Sequence, residues 1–297
     1  MTLDLELRGA SLRYDDGTEA LRGIDLSVPG GTILGLLGRN GAGKSSLMSL
    51  VASLRRPTDG QVLVGGRDPW EDAELTARVA LVGEAAEGGA WKVRDAVTSA
   101  GRLRPTWDAA YADRLLDLFE IPNVKIAKLS RGKRAALACL FGLAGRAPIT
   151  MYDEPYLGMD APARYAFYDE VLSDYMVHPR TVILSTHHID EVASLFGRVA
   201  ILDHGRLVTD DETDSLRARG TEVTGPAAAV DEFTGAAGLR VLSTRSLGGT
   251  KAAVTYGDLT DVARRRAADA GLELGPIPLQ DLFVHLSGAT QPEEASL

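Results

Sequence analysis

A glycine-rich segment near the amino terminus has the residue types and the spacing of a phosphate-binding loop. It reads Gly38-Arg39-Asn40-Gly41-Ala42-Gly43-Lys44-Ser45, and Ser46 follows it. Glycines let the backbone approach phosphate oxygens and point successive N–H groups at them, and the start of a helix adds partial positive charge. Lys44 is expected to pair with the β and γ phosphates, and the Ser45 hydroxyl to ligate magnesium. We therefore predict that this segment, with Ser46, binds ATP together with Mg²⁺.

An acidic pair later in the chain has the types needed for catalysis. Asp153-Glu154-Pro155 directly follows an apolar segment, residues 149–152. An acidic residue that ends a buried strand beside a phosphate loop is the Walker B arrangement, in which Asp153 holds magnesium, usually through water. Glu154 is then placed to polarise the attacking water as a general base. The alternative is a purely structural pair that caps a helix, since Asp and Glu favour helix starts.

The apolar segments around both clusters predict an α/β fold, a mixed sheet with helices. Residues 32–37 are nearly all apolar, as expected for a strand buried on both faces, and residues 45–54 read as the helix after the loop. Further buried strands are predicted at residues 79–82, 149–152 and 181–184. Each precedes a polar cluster, and ligands bind at the carboxyl ends of the strands in such sheets.

A helical part interrupts this strand pattern. Residues 93–128 look mostly helical, with an apolar face. We interpret them as the main part of an inserted helical subdomain, about residues 85–135, within an ATPase domain of residues 1–216. Near the end of that domain, Asp210-Asp211-Glu212 is interpreted as a solvated turn and helix cap.

The composition changes after Leu216. The chain becomes rich in Gly, Ala and Thr, and Gly248-Gly249 lies between two strand-like segments, which predicts a hairpin. Two further segments, residues 227–233 and 259–270, look helical. Residues 221–297 are therefore expected to form a small C-terminal α+β domain, in which no chemistry is apparent.

Composition and charge exclude several classes of protein. The chain of 297 residues is 45% hydrophobic, as globular proteins are, and its net charge of −9 does not favour nucleic acid as a partner. Cys139 is the only cysteine, which excludes an internal disulfide and suits a reducing cytoplasm. The amino-terminal residues lack signal-peptide features, and no apolar run is long enough to span a bilayer. Any membrane role is expected to need a partner.

Further motifs, in order along residues 1–215, resemble those of ATP-binding cassette (ABC) proteins. Leu129-Ser130-Arg131-Gly132-Lys133 opens an alanine-rich helix and is similar to the LSGGQ signature. Leu157-Gly158-Met159-Asp160 is similar to the D-loop, and Ser185-Thr186-His187 to the switch-histidine motif. Tyr14 matches the aromatic residue that stacks on adenine in this family, and packing in the core is its alternative role.

The resemblance implies a site shared by two nucleotide-binding chains. Members of the family work as head-to-tail pairs with two ATP molecules at the interface, and the signature of one chain faces the γ-phosphate bound by the other. Ser130 and the backbone of Gly132 would donate hydrogen bonds across that interface, helped by the start of the signature helix. Asp160 would sense the partner's site, and His187 would contact the γ-phosphate and position the water. The second chain could be an identical copy or a paralogue.

Four positions depart from the family's pattern. Arg131 and Lys133 replace a glycine and a glutamine of the signature, and basic side chains flanking phosphate should preserve activity. Glu84 stands where the family usually has a glutamine that touches magnesium; a carboxylate can also bind the metal, and an ordinary solvated glutamate is the alternative. Tyr156 replaces a small residue, and the sequence offers no physical reason for it.

Within the ABC family, the chain is similar to the ATP-binding subunits of ABC-2 type exporters. The similarity lies in the short helical subdomain, the Arg-Gly-Lys signature and residues 279–286. It implies an ATPase that powers export through a separate integral-membrane subunit and lies, through that partner, at the cytoplasmic face of the cell membrane. The transported substrate would be chosen by the membrane subunit.

Two other functions are alternatives. A non-transport ABC ATPase acting on ribosomes or DNA usually carries two cassettes, coiled coils or basic arms, which this sequence lacks. A catalytically idle ABC subunit would bind nucleotide only. The presence of Lys44, Asp153, Glu154 and His187 argues against that reading.

Overall fold

The computed structural model describes residues 2–83, 90–186 and 189–287. The first part contains, in chain order, β1 (Leu5–Arg13), β2 (Glu19–Val28), β3 (Ile33–Gly38), α1 (Lys44–Val51), β4 (Asp59–Val64), α2 (Ala73–Thr76) and β5 (Val79–Val82). The second part contains α3 (Val93–Leu103), α4 (Ala109–Leu118), a short 3₁₀ helix (Ile126–Lys128), α5 (Arg131–Gly145), β6 (Ile149–Asp153), α6 (Ala161–Val177) and β7 (Thr181–Thr186).

The third part begins with a short helix and a β-hairpin and continues into a second α/β unit. Its elements are α7 (Ile189–Val192), β8 (Arg198–Asp203), β9 (Arg206–Glu212), α8 (Thr213–Arg219), β10 (Gly220–Pro226), α9 (Ala227–Ala236), β11 (Arg240–Leu247), β12 (Thr250–Tyr256), α10 (Asp261–Asp269), β13 (Glu273–Pro276) and α11 (Leu279–Leu286).

The central layer is a six-stranded mixed sheet in the order β5-β6-β7-β3-β8-β9. Its strands are parallel except β9, which pairs antiparallel with β8. Every residue of β3 and β7 is buried, because both faces of the sheet are covered. The predicted α/β fold with a mixed sheet is confirmed, and strands occur at all three further positions where they were predicted.

The two faces of the sheet are covered by different layers. Leu34 and Leu36 of β3 pack in an apolar cluster with α1 and with a separate antiparallel sheet, ordered β2-β1-β4. Ile33 and Leu37 point to the opposite face, where they belong to a larger cluster with α3 to α6. This alternation follows from the two-residue period of a strand.

Strand pairing brings the two predicted chemical clusters to one edge of the sheet. β7 lies between β6 and β3, and the register pairs Asp153 with Ser185 and Leu37 with Thr186. The segments after β3, β6 and β7 therefore leave the sheet side by side at its carboxyl end, where ligands bind in open α/β sheets.

The helices of the predicted helical subdomain pack on α5. That helix contacts α3, α4 and α6, and it lies over β5 and β6. It continues to Gly145, through the expected subdomain limit at residue 135. The limits of this subdomain, and of the domains at residues 216 and 221, stay predictions.

The C-terminal residues form a second sheet, with helices packed on it. The four strands are antiparallel in the order β11-β12-β10-β13. With α9 and α10 they follow the strand–helix–strand–strand–helix–strand order of a ferredoxin-like unit. The predicted hairpin at Gly248-Gly249 is present between β11 and β12. The last helix, α11, contacts α7, and its apolar residues share a core cluster with those of α7.

One local prediction is wrong in part. Asp210-Asp211-Glu212 is the end of strand β9 and does not form a solvated turn, whereas Glu212 does stand at the N-cap position of α8, without a side-chain capping bond. Asp210 pairs with Arg198 across the β8–β9 hairpin, and Asp211 pairs with Arg219, each at 2.5 Å. These opposite charges neutralise the acidic run and allow it to extend as an edge strand.

None of the helices within residues 2–83, 90–186 and 189–287 combines the length and the apolar character that crossing a bilayer requires.

Candidate nucleotide-binding and catalytic site

The phosphate loop needs its glycines in this structure. Gly41 and Gly43 have φ of 81° and 108°, a region that residues with a side chain rarely adopt. A Cβ on Gly43 would lie 2.7 Å from the carbonyl oxygen of Ala20, and one on Gly38 would lie 2.8 Å from that of Leu202. The loop therefore lies so close to β2 and β8 that no larger residue could replace these two glycines without backbone movement.

Lys44 is the first residue of α1, directly after the loop glycines, and is only 5% exposed. Its Nζ donates to the carbonyl oxygen of Gly38 at 2.8 Å and to that of Arg39 at 3.3 Å. The same Nζ lies 3.2 Å from Oε1 of Glu154. This ion pair joins the phosphate loop directly to the acidic pair after β6.

Asp153 and Glu154 share one hydrogen-bond partner, Ser185. The Ser185 hydroxyl donates to Oδ1 of Asp153 at 2.7 Å, and its oxygen accepts from the backbone N–H of Glu154 at 2.9 Å. Ser185 is fully buried. Sequence reasoning included Ser185 in a motif but gave it no role of its own; a hydroxyl inside an apolar strand was the signal that could have revealed it.

The helix-cap alternative for the acidic pair is wrong. The next helix, α6, starts seven positions beyond Glu154, at Ala161, and is capped by Asp160. Oδ1 of Asp160 accepts from the backbone N–H of Ala163 at 3.0 Å. Asp153 instead ends strand β6, as a Walker B residue should.

The structure supplies a reason for Tyr156. Its side chain is 2% exposed, and its Oη accepts a hydrogen bond from Oγ1 of Thr186 at 3.2 Å. A tyrosine here fills the space between the loop after β6 and the end of β7, and it links the two segments next to Ser185.

Magnesium was predicted to bind to Ser45, Glu84 and Asp153. The structure places Ser45 exposed in the first turn of α1, and Asp153 half-buried at the end of β6. A hydroxyl and a carboxylate are oxygen donors of the kind Mg²⁺ takes when substrate phosphates complete its ligand set. Glu84, like the predicted catalytic residue His187, lies outside the described residues.

Tyr14 and Ser46 are joined to each other. Oη of Tyr14 lies 2.8 Å from Oγ of Ser46, which is almost fully buried. The guanidinium of Arg55 stands over the tyrosine ring, 4.6 Å from its centroid. Tyr14 also packs against the cluster of β1, β2 and α1. Adenine stacking by Tyr14 stays a prediction, with core packing as a second role.

The signature residues start helix α5. Ser130 caps it, since its Oγ accepts from the backbone N–H of Lys133 at 3.2 Å. A Cβ on Gly132 would lie 2.5 Å from the carbonyl oxygen of Gly158, so the glycine lets the D-loop lie directly against the helix. Gly132 is therefore needed for packing within the chain, in addition to its predicted contact with phosphate.

Lys133 is bonded within the chain in this structure. Its Nζ donates to the carbonyl oxygen of Phe119 at 2.6 Å, just after the carboxyl end of α4. A cation there is favourable because the last carbonyls of a helix carry partial negative charge. Lys133 therefore holds α4 against α5, and its place beside phosphate stays a prediction.

The signature helix and the Walker B loop form a seam within the chain. Glu154 and Pro155 line a cavity of about 80 Å³ together with Arg131 and Arg134 of α5. Deeper in the seam, Sγ of Cys139 lies 3.8 Å from the carbonyl oxygen of Pro155. Burial raises the pKa of this thiol, so Cys139 behaves as a small apolar residue, as predicted.

A larger open cavity, of about 640 Å³, lies elsewhere. Arg13, Arg22 and Arg206 line it together with the carboxylates of Glu19 and Asp59. It contains none of the predicted site residues, and its Arg13 and Arg22 already pair with Glu19. The predicted site residues Lys44 and Glu154 lie instead at the carboxyl edge of the six-stranded sheet.

A family model, several known proteins and several solved structures are similar to this chain. Residues 21–157 match the family model described as ABC transporter. The daunorubicin resistance ATP-binding protein DrrA3 of Streptomyces coeruleorubidus is 33% identical over 71% of this chain and 68% of its own length. The aliphatic sulfonates import ATP-binding protein SsuB of Zymomonas mobilis is 30% identical over 72% of this chain and 89% of its own length.

Solved structures share the fold at lower identity. An ATP-binding subunit of an ABC transporter matches with a TM-score of 0.64 and 23% identity, over 72% of this chain and 91% of that one. The ATP-binding cassette MJ0796, a dimer in a post-hydrolysis state with ADP and Pi, matches with a TM-score of 0.61 and 20% identity, over 70% and 98% of the two chains. Taken with the sequence relatives, these matches show that the chain belongs to the ABC transporter family and is one of its ATP-binding proteins.

Proposed function

We propose that this chain hydrolyses ATP at the carboxyl edge of its six-stranded sheet and thereby powers export through a separate membrane subunit. The observation that carries the catalytic part is the ion pair of 3.2 Å between Lys44 and Glu154. It brings a buried phosphate-loop lysine to a carboxylate that follows a different strand, which is the geometry needed to hold a phosphate beside a general base.

Each predicted site residue has a distinct role. Lys44 and the N–H groups of residues 38–46 bind the phosphates, and Tyr14 stacks on the base. Ser45 and Asp153, with Glu84 as a third ligand, hold Mg²⁺, which neutralises phosphate charge when bound. Glu154 accepts a proton from the attacking water. His187 contacts the γ-phosphate and orients that water.

The second half of the site comes from another nucleotide-binding chain. Ser130 and Asp160 are exposed at the starts of α5 and α6, where helix N–H groups also face outward. Two identical chains in a head-to-tail pair would form two equivalent sites, each with Lys44 and Glu154 from one chain and Ser130 from the other. A paralogue could take the place of the second copy.

Export is favoured over import by the kind of relatives. DrrA3 and the daunorubicin/doxorubicin resistance protein DrrA of Streptomyces peucetius are named for drug resistance, and they are 33% and 31% identical to this chain. Their matches also cover more than two thirds of their own lengths. The chain would work at the cytoplasmic face of the membrane, held there by its membrane subunit. Import remains the competing direction, since SsuB is named for it.

The variant Glu154→Gln tests the catalytic proposal. The amide keeps the size of the carboxylate but cannot take the proton of the attacking water, so hydrolysis should fall by about 100-fold or more. ATP affinity by calorimetry should stay, and light scattering should show an ATP-bound dimer. Glu232→Gln, on the exposed face of α9, is the control and should behave like the parent protein. Normal hydrolysis by Glu154→Gln would show that another group is the base.

The transport proposal needs a separate measurement. A gene for a multi-span membrane protein should lie beside the gene of this chain, and its product should co-purify with this chain from detergent-solubilised membranes. Proteoliposomes of the pair should then move substrate out of the compartment that contains this chain when ATP is supplied. Movement in the opposite direction would establish import, and failure to recover any membrane partner would contradict the transport role.

A further inference from the structure

Ser185 makes a bond pattern that no motif assigns to it. It is fully buried in β7, between β6 and β3. Its single hydroxyl donates to the Asp153 carboxylate at 2.7 Å and accepts from the Glu154 N–H at 2.9 Å. One side chain therefore holds the two acidic residues of the cleft at once, through the side chain of the first and the backbone of the second.

The backbone of Glu154 explains why this bond matters. Glu154 has a φ of 46°, in the left-handed region that non-glycine residues seldom adopt. The sheet register ends with the pair Asp153 and Ser185, so Glu154 is the first residue that turns away from the sheet. A left-handed residue at such a turn persists only when its surroundings hold it, and the Ser185 oxygen is the acceptor that holds its N–H.

The direction of the Glu154 side chain depends on this turn. Its carboxylate reaches Lys44 at 3.2 Å from a backbone that has just left the strand. The neighbouring bond between Thr186 and Tyr156 ties the same two segments together, 3.2 Å apart, but it touches neither acidic residue. The fold of this edge thus has a second link, whereas of these two hydroxyls only that of Ser185 reaches the acidic pair.

We propose that Ser185 is a positioning residue for ATP hydrolysis, whose hydroxyl orients the Asp153 carboxylate and fixes the turn that aims Glu154 at the phosphate loop. The proposal rests on the roles of Asp153 and Glu154 given above. Ser185 contacts neither nucleotide nor water in the reaction; it acts through the two acidic residues.

The test compares Ser185→Ala with Thr150→Val. Thr150 is also fully buried, on β6, and its Oγ1 donates to the carbonyl oxygen of Ala147 at the opposite end of the strand. Each change removes one buried hydroxyl from the same sheet. Ser185→Ala should lower kcat about 10- to 100-fold, because small misplacements of catalytic groups are costly. The KM for ATP should change by less than about threefold, since Lys44 and the loop are untouched. Thr150→Val should leave kcat and KM as they are.

Hydrogen exchange supplies a readout that does not depend on activity. In Ser185→Ala the amide of Glu154 loses its acceptor, so that amide should exchange faster than in the parent protein and in Thr150→Val. An unchanged kcat in Ser185→Ala, or a loss equal to that of Thr150→Val, would overturn the proposal. If the alanine protein does not fold, Ser185→Cys keeps the side-chain size and weakens both bonds, and the same kcat and KM comparison applies.

Glu154→Gln, measured beside these variants, tests the proposed function separately from the role of Ser185. If it hydrolyses ATP normally, the proposed function has the wrong base. If it is inactive while Ser185→Ala has the parent kcat, only the role of Ser185 is wrong.

Discussion

The two halves of the proposed composite site are organised in different ways. The phosphate half, which consists of Lys44, Asp153, Glu154 and Ser185, is bonded across three strands of one sheet. The signature half consists of Ser130, Gly132 and Asp160, and its two polar side chains each accept an N–H group three residues further along their own helix. Long-range pairing builds the first half, and local capping builds the second.

This difference predicts which substitutions alter ATP binding or hydrolysis and which alter stability. Residues of the phosphate half are within bonding reach of one another, so their loss should affect nucleotide binding or hydrolysis directly. Ser130 and Asp160 already stabilise their helices as N-caps. A role across an interface must therefore appear as a loss of ATP hydrolysis greater than that caused by losing a cap of the same kind. Capped helices elsewhere in the chain provide this control.

The largest effect is expected from Lys44→Ala in the phosphate half. The buried ammonium is the cation nearest to the proposed phosphates, and its removal also leaves Glu154 without this ion pair. ATP affinity measured by calorimetry should fall at least about 100-fold, since charge-assisted hydrogen bonds to phosphate are strong. Lys125→Ala, an exposed lysine, is the control. Equal ATP affinity in both variants would contradict the assignment of the phosphate loop.

A smaller effect is expected from Gly132→Ala, where the signature helix meets the D-loop. The added Cβ would lie 2.5 Å from the backbone oxygen of Gly158, so the seam must open. The free energy of unfolding in urea should fall by about 1–3 kcal/mol, the usual cost of overpacking.

Gly235→Ala provides the matched control for this change. Gly235 lies in α9, and a Cβ there would meet nothing within 4 Å. Alanine should therefore raise the stability by up to about 1 kcal/mol through helix propensity. If Gly132→Ala is stabilising as well, the close approach of Gly132 and Gly158 is not a feature of the protein in solution.

Ser130→Ala distinguishes a cap from an interface residue. Its loss should lower the free energy of unfolding by about 1 kcal/mol. Thr260 caps α10 with the same bond, from the N–H of Ala263 at 3.2 Å, so Thr260→Ala should cost a similar amount. Only Ser130→Ala should also lower ATP hydrolysis. Equal hydrolysis in the two variants would mean that Ser130 serves the helix alone.

The smallest effect is expected from Lys133→Gln, which restores the residue that is usual in the signature. The change removes the bond from Nζ to the Phe119 carbonyl, and the free energy of unfolding should fall by about 0.5 kcal/mol. Hydrolysis per folded molecule should stay the same. A several-fold change in hydrolysis would show that Lys133 acts at the phosphate after all.

The sequence predicted which residues form most of the phosphate half, but not the bonds among them. Lys44 and the loop glycines were recognisable because their spacing is local, and Asp153 because an apolar strand precedes it. The role of Ser185 was missed, since its two partners are about thirty positions away and are set only by the register of β6 and β7. The reason for Tyr156 was missed for the same cause.

In the C-terminal part, a local turn was predicted correctly, whereas contacts between distant residues were missed. The C-terminal hairpin was predicted from Gly248-Gly249, because turn chemistry is local. Strand β9 was missed because its acidic end reads as a turn when Arg198 and Arg219 are not known to lie beside it. Nothing local in α11 indicated that its apolar face would pack with α7 in the core of the nucleotide-binding part.

The family, the α/β class and the residues that could bind phosphate and polarise water follow from the amino-acid sequence, because short-range spacing on a loop or at a strand end is enough to identify them. Which of these groups touch is set by the folded arrangement of the chain. The ion pair of Lys44 with Glu154, the shared bond of Ser185 and the contact of Gly132 with Gly158 all depend on the register of strands and the approach of helices. Both are set by burial of apolar surface over the whole chain, which no local motif encodes.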